Sequence, residues 1–167
     1  MTTKDSFSDE EWDRIVRAPF VAGFAVTAAD PGGLIGAVQE SSGMVKSVRD
    51  AQASAPEGSL IDDLAATFMS AEGREAARSG LKALIKGRTP TEAGTAAVAE
   101  LQATMTMLHT KAPELAVVLA QFVRDTAQNV ANAASENTFL GFGGEKVSDA
   151  ERKTLADIDA AIAAPTG

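Results

Sequence analysis

The residue types that carry most enzyme chemistry are scarce in this chain: its 167 residues include no cysteine and one histidine, His109. Thiolate nucleophiles, disulfides and Cys/His zinc cages are excluded, and a nucleophilic triad has a single imidazole to draw on. A carboxylate di-iron bundle needs Glu-x-x-His pairs, whereas the residue three before His109 is Thr106. His109 falls about 40° from Met105 on a helical wheel, at the edge of an apolar stripe. That position suits a boundary side chain with a backbone or solvent partner, the other reading being a ligand or proton-transfer role. The carboxylates are plentiful, but no spacing pairs two of them as acid and base. The expectation is a protein that is not an enzyme, with no catalytic residue, no metal and no cofactor.

The segment of most unusual composition is Thr138-Phe139-Leu140-Gly141-Phe142-Gly143-Gly144, where three apolar side chains and three glycines stand outside any helical pattern. Loops are ordinarily polar. A phosphate cradle fits poorly, because no Lys-Ser/Thr pair follows and Glu145 and Asp149 would repel an anion. Two roles stay open: a cover over one end of a helical bundle, or a contact surface. In the second role Phe139, Leu140, Phe142, Gly143 and Gly144 are the partner-binding residues.

Other polar groups pose smaller questions. No acid occurs from Ala76 to Thr91, a stretch holding Arg78, Lys82, Lys86 and Arg88 and preceded by Arg74. Spaced by four, such charges drift about 40° per step and wrap an outer helix face, either simply solvated or docking an acidic partner. Thr126 and Asn129 share the arc of Phe122, so they need local hydrogen bonds or a cavity to line. Glu151 shares the arc of Leu155, Ile158 and Ile162, which a capping role would explain.

A net charge of -8 disfavours a nucleic-acid surface. The most apolar stretch, Ala18 to Ala29, holds about 12 residues where a membrane span needs about 20. Met1 to Trp12 is acidic where an export signal would be basic and then apolar. A cytoplasmic protein without a membrane span follows as the expectation, its partner being another protein or a second copy.

The elements that must position these groups are helical, because apolar residues recur at three and four rather than at two. Ser8 with Glu11 forms a capping box, flanked by Phe7 and Trp12 as a hydrophobic staple. Pro19 is expected in the first turn of a second helix, apolar nearly all round and hence buried. Asp30-Pro31 opens a long helix with Leu34, Val38, Val45 and Val48 inward, and Gly32, Gly36 and Gly43 on the opposite face for close approach of the Pro19 helix. Ser59 and Ser70 cap two shorter helices. Thr89-Pro90-Thr91-Glu92 starts one carrying Val98, Leu101, Met105 and Leu108, and Pro113 starts one carrying Leu115, Val118, Leu119, Phe122 and Val130. Ser148 with Glu151 caps the last. The fold class expected is all-α: one domain over residues 1–167, a bundle of seven to eight helices with a central buried pair.

Two stretches resemble each other: Ala28-Ala29-Asp30-Pro31-Gly32-Gly33 through Glu40, and Gly143-Gly144-Glu145-Lys146-Val147-Ser148 through Glu151. Each is a glycine-bearing turn entering a helix with acids nearby. The pattern resembles the TerB-like helical proteins of tellurite resistance, in which an Asp-Gly turn and a Ser-x-x-Glu helix start help form an acidic, metal-linked face. The resemblance implies a stress-response protein binding a cation or small ligand through Asp30, Glu145, Asp149 and Glu151. The acidic Glu-Glu-Trp opening and the Phe-Leu-Gly-Phe-Gly-Gly segment also resemble small uncharacterised bacterial helical proteins, which implies a protein-interaction or structural module.

Overall fold

The computed structural model describes residues 4–29, 48–50, 52–138 and 147–163, without the side chains of 133–138. Among these residues every regular element is helical. A 3-10 turn at Lys4–Ser6 precedes α1 (Asp9–Ala29), α2 (Leu60–Met69), α3 (Ala71–Ile85), α4 (Pro90–Lys111), α5 (Pro113–Thr138) and α6 (Asp149–Ile162). The chain is all-α. The helix expected from Asp30, with Leu34, Val38, Val45 and the glycine row Gly32, Gly36 and Gly43, lies outside the described residues. Val48, expected on its inner stripe, is fully buried.

Local chemistry starts the helices where the residue types demand. At α1 the Ser8 amide donates to Glu11 Oε2 at 2.8 Å and the Glu11 amide to Ser8 Oγ at 3.2 Å, while the Phe7 and Trp12 rings lie 5.9 Å apart as the staple. Thr89 with Glu92 and Ser148 with Glu151 form the same reciprocal box at α4 and α6. Ser70 serves two helices at once: its backbone N–H closes α2 on Ala66 and Thr67, and its Oγ accepts from the Gly73 amide to open α3. This corner requires glycine at 73, because a Cβ there would stand 2.0 Å from the Thr67 carbonyl oxygen.

One expected boundary is absent. Pro19 does not open a second helix, since α1 runs unbroken for 21 residues through it. An interior proline loses a backbone hydrogen bond and costs about 3 kcal/mol. Burial on both sides offsets that cost: Ile15, Val16 and Ala18 before the proline and Phe20, Val21 and Ala22 after it are at most 2% exposed. α1 is the axis of the fold and packs against α3, α4, α5 and α6. It runs antiparallel to α4, Glu11 lying by Lys111, Arg14 by Glu100 and Ala28 by Gly94.

The core assembles from the expected stripes. Leu101, Met105 and Leu108 of α4, Leu115, Leu119, Phe122 and Val130 of α5, and Ile158 and Ile162 of α6 are buried. Val98, Val118 and Leu155 are partly buried against them. Phe20 stacks on Phe68 of α2 at 5.2 Å, and the indole N–H of Trp12 donates to Thr67 Oγ1.

Candidate functional site

The α1–α4 interface holds the two most distinctive features among the described residues. At its midpoint Arg14 grips Glu100 through two parallel bonds of 2.9 Å, and Arg17 adds a third of 2.6 Å from Nη2. Burial raises the pKa of the Glu100 carboxyl, but the hydrogen bonds and charges of the two arginines outweigh it and hold the group below its ordinary value. The same bonds push the Arg14 guanidinium above its ordinary value. Arg17 lies across α3 at Gly80, where an added Cβ would sit 3.0 Å from Nη1. The three bonds tie α1 to α4 as a clamp, although Arg17 Nε is buried without a hydrogen-bond partner among the described residues.

Beyond the clamp the interface opens into a groove of about 1130 Å³ between α1, α4 and α6. The last turn and a half of α1 supplies Phe24, Ala25, Ala28 and Ala29; α4 supplies Gly94, Val98, Ala99 and Gln102; α6 supplies Ala150, Lys153, Thr154 and Asp157. Ile85 and Arg88 close one end at the turn between α3 and α4. The opening follows from side-chain size. Alanines and a glycine line the faces of α1 and α4 there, so little side-chain volume fills the space beside the first turns of α6. The groove is mostly apolar with a few polar groups on its rim, the usual make-up of a binding site. Lys153 and Asp157 on one rim pair with each other at 2.6 Å, and Arg88 Nε donates to the Leu84 carbonyl at 2.9 Å.

The residues singled out in the sequence fare unequally. Phe139, Leu140, Phe142, Gly143 and Gly144 lie outside the described residues, as do Asp30 and Glu145. Of the four acids grouped by the TerB-like resemblance, Asp149 is exposed and pairs with Arg152, while Glu151 is 4% exposed and accepts from the Ser148 amide at 2.8 Å. Among the described residues no group of three His, Cys, Asp or Glu side chains could hold a metal ion. His109 is half-buried with Nδ1 2.8 Å from the Met105 carbonyl, the backbone partner expected of a boundary histidine. Thr126 departs from expectation. Its Oγ1 finds no partner among the described residues, because the methyl is turned toward Gly23 of α1, and packing sets the rotamer.

Neither the clamp nor the groove was marked by a motif. Glu100 is 86 residues from Arg14 and 83 from Arg17. The one available signal for the groove was the run of small residues on the Pro90 helix. Family models, curated proteins and solved structures were all compared with the chain, and none matches. Among the described residues no helix is long and apolar enough to cross a membrane.

Proposed function

We propose that the protein is an interaction module that binds another polypeptide, and that the groove between α1, α4 and α6 is its contact. The observation that carries this reading is the groove itself: a cleft of about 1130 Å³ with Phe24, Ala28, Ile85 and Val98 partly open to solvent along it. A helical protein of this size ordinarily closes such a face, and an apolar cleft rimmed by polar groups is the form binding sites take. Helix-in-groove docking is the recognition mode that an all-helical surface offers.

The experiment is a selection of helical peptides from a random library against the full chain, followed by methyl NMR. Enriched peptides should shift the Ile85 and Val98 methyls and lose binding to Val98→Asp. Enriched peptides that shift other methyls, or a selection that enriches nothing, would remove the groove as the contact.

A further inference from the structure

We infer that the groove takes an acidic amphipathic α-helix of about three turns, supplied by a partner protein; this rests on the groove being a binding site. Three observations converge on that occupant. The first is length and period. Lining positions on α4 step through Thr91, Gly94, Val98 and Gln102, one helical stripe of about 17 Å at 1.5 Å per residue. On α6 they step through Ala150, Lys153 and Asp157. Walls built from two helical stripes match the ridge spacing of a third helix.

The second is the floor. Ala25, Ala28 and Gly94 put little between the groove and the helix backbones, so an incoming helix seats deeply on its apolar face.

The third is charge. Ile85 and Arg88 line one end of the groove, and the exposed Lys82 and Lys86 flank Ile85 in the sequence just outside it. No acid lies between Ala76 and Thr91. Glu92 stands close enough to Arg88 to feel its charge, but its carboxylate is hydrogen-bonded by the Thr89 amide and hydroxyl. Across the groove Lys153 and Asp157 neutralise each other. The Ile85 end is therefore a basic edge on a protein of net charge -8, and it orients an acidic segment that the rest of the surface repels. A nucleic acid or an anionic lipid surface would meet the same cations but leave the apolar floor in water.

The test uses two synthetic helical peptides with one Leu/Ala stripe, carrying either Glu or Lys at the outer positions, titrated into the full chain by fluorescence anisotropy. The Glu peptide should bind at least about tenfold more tightly at low salt, and the gap should close as added salt shortens the screening length to a few ångströms. The K82E/K86E/R88E variant, altered only at exposed positions, should reverse the preference. Equal binding of both peptides with shifts at Ile85 and Val98 would overturn the acidic occupant while leaving the groove a binding site. Failure of both peptides to bind would overturn both readings. A concentration-dependent dimer that excludes both peptides would assign the groove to a second copy and overturn the partner helix.

Discussion

α1 and α4 run antiparallel, yet the two halves of their interface end differently. The half holding Ile15, Leu101 and Leu108 is filled with large side chains at 0% exposure and pinned by the Arg14–Glu100–Arg17 clamp. The half holding Ala25, Ala28 and Gly94 is lined with small residues and opens into the groove. One pair of helices thus serves as scaffold along part of its length and as candidate site along the rest. What separates the two is side-chain volume, since a packed interior tolerates almost no empty space and a poorly filled one must open to solvent. Rigidity at the clamp is also what would hold the groove in shape for an incoming helix.

The sharpest way to break this contrast is to truncate one side chain in each half of α4. Leu101→Ala should cost about 2–5 kcal/mol, the range for a fully buried leucine. Val98→Ala, three residues away on the groove wall, should cost less than about 1.5 kcal/mol because solvent already reaches the site. Denaturant titrations followed through Trp12, the sole tryptophan and 5% exposed, would measure both. Equal losses would mean the groove is as tightly packed as the core.

Removing the clamp's acid comes next. Glu100→Ala leaves two guanidinium groups facing each other in a part-buried site and should destabilise by about 2–3 kcal/mol, below the range for a fully buried pair because all three side chains keep some solvent contact. Glu100→Gln retains the shape and should recover part of the loss. A variant as stable as wild type would reduce the clamp to a surface pair.

The clamp also predicts a pH dependence whose sign follows from its chemistry. The folded-state pKa of Glu100 lies below the ordinary 4.5. Its contribution is therefore complete above that value and is lost as pH falls through the lower, folded-state pKa. Melting temperature should drop with acid below about pH 4.5, and Glu100→Gln should drop less steeply over the same window. Parallel slopes for the two proteins would place the acid sensitivity elsewhere.

The smallest effect is expected at the groove rim. Ala99→Glu adds a charge at an exposed position and should change stability by no more than about 0.5 kcal/mol, while weakening the Glu peptide through repulsion inside the groove. A large fall in melting temperature would show that this wall is structural.

Legibility varied with range. Helix starts were readable because a capping box is a contact between residues three apart: Ser8 with Glu11, Thr89 with Glu92 and Ser148 with Glu151 need no partner from elsewhere in the chain. The buried stripes of α4, α5 and α6 were readable for the same reason, since periodicity is a local property. Pro19 was misread as a boundary because its local preference was overridden by burial on both sides, which local pattern does not weigh. Thr126 on a core stripe calls for a local hydrogen bond or a cavity to line, and its rotamer follows the space left by Gly23 on another helix.

By itself, then, the sequence determined that this protein is helical, where most of its helices begin, which faces turn inward, and that thiol and multi-histidine chemistry are closed to it. Each of these depends on residue type or on spacing within a few turns. Only the tertiary structure decided that Arg14 and Arg17 would meet Glu100, that Ile85 and Arg88 would stand at the end of a groove, and that small residues from α1, α4 and α6 would face a common space. Those outcomes depend on which helix faces meet and how far their side chains hold them apart, quantities that belong to pairs of elements distant in the chain and leave no period in either one.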